Sequence, residues 1–265
     1  MLNKRKTGKN KNPQIFLPKL IWIYGKHPVL MALTHKRRKF KQIVITKNNQ
    51  KQIQDFKLSG HLIKIADNKF ISELLPEDVP HQGFALQASP IPTLNEEDFL
   101  SGIANYKQNE LPPLLILDQL TDAGNVGAII RSASAFGIKN IIITKHNFTQ
   151  NNAVICKTSA GTIELVNVII ANNLNNLLGN LKKIGYWCIG LDGSAQNSIK
   201  QTKDYNNIAL IIGNEGSGIR KLVKHNCDLL VKIPINKEVE SLNAANAAAI
   251  ALYELFTNSS DNIQQ

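Results

Sequence analysis

No acidic residue occurs before Asp55, although the first 54 residues carry 14 Lys and Arg. The rest of the chain holds 17 basic and 20 acidic side chains, so the net charge of +11 belongs to one end. A polyanion meeting that end would displace condensed counterions and bind in a salt-sensitive, mostly sequence-blind way. A solubilising tail or an organellar leader has a similar charge pattern. The segment is Lys/Asn-rich rather than Arg/Ser-rich, which weighs against a leader.

Cysteine is scarce. Cys156, Cys188 and Cys227 lie far apart with no C-x-x-C pair, which argues against a zinc site or a disulfide scaffold and fits a reducing cytosol. No apolar run approaches the roughly 18 residues of a membrane span. The run Ile15 to Tyr24 is interrupted by Pro18 and Lys19, and no small-residue cleavage site follows it, so a secretory signal is not expected. The P-loop pattern G-x-x-x-x-G-K-[ST] and the dinucleotide pattern G-x-G-x-x-G are both missing from the glycine-rich turn described below. What is present is 265 residues with 43% apolar side chains, enough for a packed core and one or two domains.

The pattern along the chain divides it. Residues 1–20 read as a flexible basic arm. Residues 21–89 read as a small α/β unit, with strands at Ile21–Ile23, Ile43–Ile45, Leu62–Ile65 and Phe84–Leu86 and a helix after His27-Pro28. His35-Lys36-Arg37-Arg38-Lys39, with Lys41, is expected to form a phosphate-contact edge or a solvated face. Residues 90–113, bracketed by Pro90, Pro92, Pro112 and Pro113, read as a linker with room for one short helix.

From residue 114 to 258, short apolar runs at 114–117, 141–143, 187–190, 209–212 and 229–233 suit strands of a parallel sheet buried on both faces. Helices are expected at 125–136, 173–184, 217–225 and 242–256, giving a doubly wound α/β domain. Residues 259–265 read as a disordered tail.

Three stretches carry the chemistry. Leu117-Asp118-Gln119-Leu120-Thr121-Asp122-Ala123-Gly124-Asn125 joins a strand to a helix whose core face is Val126, Ile129, Ile130, Ala133 and Phe136, with Arg131 on roughly the opposite side. Gly213-Asn214-Glu215-Gly216-Ser217-Gly218 follows a strand, and its glycines permit tight turns and close backbone approach to a ligand. A carboxylate there, Glu215, can orient a hydroxyl. Ile233-Pro234 and Ser241-Leu242-Asn243 then lead into an alanine-rich, slim helix. Each stretch also has an ordinary reading: Asn125 and Ser241 as helix caps, Arg131 as a solvated cation, Glu215 as an exposed turn residue.

In order and spacing, these three motifs resemble those of the SpoU (TrmH-like) branch of the SPOUT RNA methyltransferases. Tyr24-Gly25-Lys26-His27-Pro28-Val29, His81-Gln82-Gly83 and Ser159-Ala160-Gly161 extend the likeness over nearly the whole chain. The resemblance implies a trefoil-knotted parallel-sheet domain preceded by a small RNA-binding domain, packed as a homodimer through the knot. It implies methyl transfer from S-adenosylmethionine to a ribose 2′-hydroxyl, with a guanosine of bacterial 23S ribosomal RNA as the expected substrate and transfer RNA as the alternative within the family. A non-catalytic ribosomal-RNA-binding assembly protein is the alternative outside enzymes. Mapped onto this sequence, Asn125, Arg131, Glu215, Ser241 and Asn243 would form the catalytic cluster. Gly213, Ile233 and Leu242 would contact the cofactor, with no metal and no membrane involved and a cytoplasmic location. The family usually has proline where Ala123 stands, which is expected to loosen the turn without removing a reactive group. A guanidinium holds its proton strongly, so Arg131 is expected to stabilise charge or bind phosphate rather than act as the base.

Overall fold

The computed structural model describes residues 20–107, 110–144, 152–202 and 205–256. The tail expected over 259–265 and all of the expected arm except Leu20 lie outside them. The four strands expected in the small domain are present: β1 (Ile21–Tyr24), β2 (Phe40–Ile45), β3 (Ile63–Ile65) and β4 (Phe84–Ala88), in the order β1-β4-β2-β3. The β4 pairings are antiparallel and β2–β3 is parallel. Helix α1 (Lys26–His35) packs on this sheet through Val29, Ala32 and Leu33, and α2 (Asn68–Glu73) is capped by Asp67, which accepts from Phe70 N at 2.8 Å.

The second layer is an eight-stranded, all-parallel sheet in the order β10-β12-β9-β11-β6-β7-β8-β5. Its strands are β5 (Thr93–Asn95), β6 (Leu114–Leu117), β7 (Asn140–Thr144), β8 (Asn167–Ala171), β9 (Trp187–Leu191), β10 (Asn197–Ser198), β11 (Ile208–Ile212) and β12 (Leu229–Lys232). Every residue of β6 and β11 is buried, as expected for central strands covered on both faces. Each such Leu or Ile contributes about 1.5–3 kcal/mol by leaving water. Helices α4 (Ala123–Ala135), α5 (Asn152–Thr158) and α8 (Ala244–Phe256) help bury a core that includes residues of both domains, while α3 (Glu96–Ile103), α6 (Leu174–Ile184) and the short α7 (Lys221–His225) help bury a second apolar cluster.

The chain departs from the sequence reading in several places. Strand β8 has the same apolar character as its neighbours but was not among the expected strands. Within residues 90–113, read as a linker with room for one short helix, that helix is α3, but residues 93–95 also form β5, which was not expected. All three residues of β5 are exposed, so only pairing with β8 makes it a strand. The helix expected over 217–225 is limited to α7. Asn214 N and Gly218 N exchange backbone hydrogen bonds across a turn with Gly218 at φ 64°, which holds the preceding residues out of helix.

The basic segment after α1 also turns out differently. His35, Lys36, Lys39 and Lys41 are exposed, but Arg38 is buried against the sheet domain. Its Nε donates to Glu164 Oε1 at 2.6 Å and its Nη2 to Cys156 Sγ at 3.2 Å. Arg37 Nη1 donates to the carbonyls of Glu164 (3.0 Å) and Val166 (2.5 Å). Lys157 Nζ reaches back to Pro80 O at 2.9 Å. At Gly161, φ is 84° and a side-chain carbon would stand 2.7 Å from Met31 Cβ, so glycine lets the two domains close on each other. Burial pushes the Cys156 thiol up to about 11, making it an inert packing group.

Candidate active site

Strands of an open parallel sheet offer ligands their carboxyl ends. Three loops meet there. The first leaves β6. Asp118, fully buried, accepts from Arg220 N (3.0 Å) and Arg220 Nε (2.8 Å), tying the first loop to the end of the second. The sequence reading assigned Asp118 no role, although an acid directly after four buried apolar residues is a signal that it must find a partner.

Asp122 caps α4, its Oδ1 accepting from Asn125 N at 2.6 Å. Asn125 is therefore in the first helical turn and is not the cap. Ala123 opens the helix at the position where proline is favoured, and the Asp122 cap holds the turn in its absence. Val126, Ile129, Ile130 and Ala133 are buried as expected, with Phe136 half-buried.

The side chain of Asn125 is consequently available to the second loop. Its Nδ2 donates to Glu215 Oε1 at 2.7 Å. From the third segment, Asn243 Nδ2 donates to the same oxygen at 2.5 Å and to Asn125 Oδ1 at 3.1 Å. Ala244 N, opening α8, adds a bond to Glu215 Oε1 at 3.2 Å. One carboxylate oxygen thus gathers donors from two helix starts 90 and 28 residues away. The other oxygen, on an exposed side chain, has no protein partner among the described residues. Asn243 also caps α8, its Oδ1 accepting from Ala245 N (2.9 Å) and Asn246 N (3.3 Å). Ser241, considered as a cap, stands exposed outside the helix. Arg131 is exposed too, six residues beyond Asn125 on α4, which is about 9 Å along the helix and about 120° round it. The structure joins Asn125, Glu215 and Asn243; it does not join Ser241 or Arg131 to them.

The expected cofactor contacts stand at the same end of the sheet. Gly213 follows β11 and Ile233 follows β12, with β9 between those strands, so they are separated by roughly 10 Å at about 4.8 Å per strand. A side-chain carbon on Gly213 would lie 2.1 Å from the carbonyl carbon of Gly218, so only glycine lets the second loop fold back on itself. The half-buried Ile233 and Leu242 offer apolar contact for a purine ring, and the backbone beyond the strands offers polar groups for its edge. The loop after β9 is anchored by Asp192, which accepts from Ser194 N (2.8 Å) and Ser194 Oγ (2.5 Å) and pairs with Lys224. Burial pulls the Asp192 pKa up, but the bonds from Lys224 and Ser194 outweigh it and the carboxyl titrates below its usual range. These residues fit a neutral adenosine held largely by backbone.

Residues 112–253 match the SpoU rRNA Methylase family. The chain belongs to that family. Residues 22–94 match a domain described as RNA 2′-O ribose methyltransferase substrate binding. The protein is thus an RNA 2′-O-ribose methyltransferase of the SpoU branch, whose methyl donor is S-adenosylmethionine. It is 33% identical over 237 residues to the 23S rRNA (guanosine-2′-O-)-methyltransferase RlmB of Escherichia coli, covering 88% of this chain and 96% of that one. The RlmB of Vibrio parahaemolyticus is also 33% identical, over 238 residues, covering 88% and 95%. Among solved structures, the AdoMet-bound rRNA methyltransferase of Sinorhizobium meliloti superposes with a TM-score of 0.74 at 21% identity, covering 91% of this chain and 88% of that one. The SpoU methyltransferase AviRb of Streptomyces viridochromogenes, in complex with AdoMet, gives 0.71 at 20% identity and covers 91% and 90%. No helix among the described residues is long and apolar enough to cross a membrane.

Proposed function

We propose that this SpoU methyltransferase modifies a guanosine of 23S ribosomal RNA in the bacterial cytoplasm, with Asn125, Arg131, Glu215, Ser241 and Asn243 as its working residues and Gly213, Ile233 and Leu242 against the cofactor. The observation that carries the catalytic part is the Glu215 carboxylate, one oxygen held by Asn125 and Asn243 and the other left open. The relatives named RlmB support the ribosomal substrate.

Bound S-adenosylmethionine supplies an electrophilic methyl group on a sulfonium. In the transfer the ribose oxygen would gain the methyl as the sulfur–methyl bond breaks to leave a neutral thioether, and the hydroxyl proton would pass out to solvent. Opposite charges cancel, so a dry, preorganised site favours the reaction. Glu215 Oε2 is the available acceptor for a hydrogen bond from that hydroxyl. Asn125 and Asn243 keep the carboxylate from rotating. Arg131, exposed on α4, binds a phosphate beside the target or acts from a neighbouring subunit. Ser241 orients the ribose from the loop before α8. The segment from Ile233 to Asn243 is read as the threaded part of the trefoil knot, a reading supported by the bond that Asn243, at its end, sends across to Glu215 in the 213–218 loop.

A homodimer belongs to the same proposal. Helix α8 buries Ala244, Ala248, Ala251, Leu252 and Leu255, while Ile250 (44%) and Tyr253 (60%) remain exposed beside α4. Tyr253 packs edge-on against Phe136, with ring centroids 5.9 Å apart. This apolar face suits a second copy of the chain.

The test is transfer of labelled methyl groups to unmodified 23S RNA and to a transfer RNA pool, with the product mapped. Label on one guanosine ribose of 23S RNA is the expected result. Label only on transfer RNA overturns the substrate. Cofactor binding without label on either RNA points to a different RNA or an assembly intermediate.

A further inference from the structure

Beside the Glu215 cluster the carboxyl edge of the sheet opens into a second space. It is a cleft of about 770 Å³ bounded by the last residue of β7 and by the loops after β6, β8 and β11. It is separate from the row formed by Gly213, Ile233 and Leu242, none of which lines it. Asn214 belongs to its wall, and the next residue, Glu215, belongs to the catalytic cluster.

The chemistry of the lining is unusual. Five carboxamides face it, from Gln119, Asn172, Asn173, Asn175 and Asn214, together with the hydroxyls of Thr121, Thr144 and Ser217. Among the described residues no carboxylate lines it, and Arg220, the one cation among them, is already paired with buried Asp118 at 2.8 Å, so these residues offer little free charge to hold a phosphate. Buried Leu174 and Ala171 supply apolar surface.

Part of the lining is spent on holding the wall. Asn214 Nδ2 donates to Gln119 O at 3.1 Å, and Asn214 Oδ1 accepts from Gly216 N at 3.1 Å. Asn173 and Asn175 accept bonds from α6 and from Asn226. Gln119 itself is held at φ 55°, a left-handed conformation uncommon outside glycine and often found at ligand sites. The side chains of Asn172, Thr121, Thr144 and Ser217 have no protein partner among the described residues. They present unpaired donors and acceptors to whatever enters.

We propose that this cleft takes one unpaired nucleobase of the RNA, next to the methylated nucleotide, and reads its edge with carboxamides and hydroxyls. A carboxamide carries a donor and an acceptor side by side, which matches the paired groups on a base edge. Unpaired, splayed bases are the part of RNA that proteins read most specifically. The near-neutral lining fits a base better than a phosphate, and the volume suits one nucleotide rather than a helix. None of the described residues that line the cleft is aromatic, and the base binds as part of the RNA rather than as a free nucleotide. The proposal rests on the RNA methyltransferase reading and adds how the substrate is chosen.

The test is a kinetic cycle with the full-length enzyme. Asn172→Ala and Thr144→Val, neither of which removes a hydrogen bond seen in the fold, are assayed on a 23S RNA fragment and on fragments abasic at each nucleotide flanking the target. With intact RNA we expect kcat/KM to fall about 5- to 150-fold for Asn172→Ala, mostly through KM, since one such contact discriminates by about 1–3 kcal/mol. The affinity for S-adenosylmethionine should not change. On RNA abasic at the one position read by the cleft, wild type and variant should become equal. Variants within twofold of wild type on intact RNA overturn the proposal while leaving the methyltransferase reading intact. Weakened S-adenosylmethionine binding in the variants overturns it as well, because the cleft would then belong to the cofactor. A wild-type enzyme that methylates no RNA overturns both.

Discussion

Of the carboxylates held by nitrogen donors, Glu164 and Glu215 serve opposite ends. Glu164 lies in the seam between the domains, its side chain 1% exposed, against an Arg38 guanidinium that is 0% exposed. Glu215 lies at the mouth of the sheet, exposed, and is held by two amides and a backbone N–H. The buried carboxylate needs a full counter-charge because an unpaired ion in a dry seam is very costly. The exposed one does better with neutral donors, which orient it without cancelling its charge, and its second oxygen stays open to a substrate. Glu164 Oε2 is buried without a hydrogen bond, so what separates the two carboxylates is not the number of bonds but the partner and the exposure. The buried one is balanced by a cation and has a structural task, while the exposed one is oriented by neutral amides and keeps its charge.

The same substitution at both sites is the sharpest test. Glu164→Gln leaves Arg38 buried without its counter-charge and is expected to destabilise the fold by about 3–5 kcal/mol, measured by denaturant unfolding. Turnover of the fraction that remains folded should stay near wild type. Glu215→Gln is expected to do the reverse, cutting turnover by about 10²–10³-fold while changing stability by no more than about 1 kcal/mol. If both variants lose stability equally, the contrast collapses.

Gly213→Ala probes the frame that carries Glu215. The added methyl collides with backbone at Gly218, and overpacking of this kind costs about 1–3 kcal/mol. S-adenosylmethionine affinity by calorimetry should fall together with stability, whereas Gly102→Ala, where an added methyl meets nothing within 4 Å, should leave affinity unchanged. Tyr253→Glu places a charge on the apolar face of α8, and light scattering should show dimer giving way to monomer at low concentration.

The smallest effect belongs to the seam's edge. Gly83 N donates to His81 Nδ1 at 3.0 Å, which requires a neutral ring. Burial, and then the nearby Lys157 ammonium, lower the His81 pKa below its usual 6.5. The unfolded chain therefore takes up the proton first as pH falls. The stability contribution is complete above about pH 6.5 and is lost progressively below it. Thermal unfolding from about pH 7.5 to about pH 5 should show a decline that His81→Gln flattens.

Much of the architecture could be read from the chain. Three strands of the small domain and five of the larger sheet are short apolar runs whose burial is a local matter of composition, while the fourth, β3, alternates and is mostly exposed. Strand β8 carried the same signal and could have been found by it. Strand β5 carried none, because Thr93, Leu94 and Asn95 are exposed and become a strand only by pairing with β8. Helix starts were harder. Asp122 and Asn243 compete with neighbours able to cap equally well, and which one does so depends on where Glu215 sits.

The sequence alone determined the order of the motifs, the parallel sheet and the basic N-terminal end, which rest on residue type, spacing and charge, all of them local or additive. The kind of chemistry followed from the resemblance of those motifs to a known family. The tertiary structure decided which residues work together: that Asn125 and Asn243 share one oxygen of Glu215, that Arg38 in a basic run faces inward to Glu164, and that Arg131 and Ser241 stand apart. Those outcomes depend on side-chain direction and on packing between segments 28 to 126 residues apart, and no periodicity in the chain encodes them.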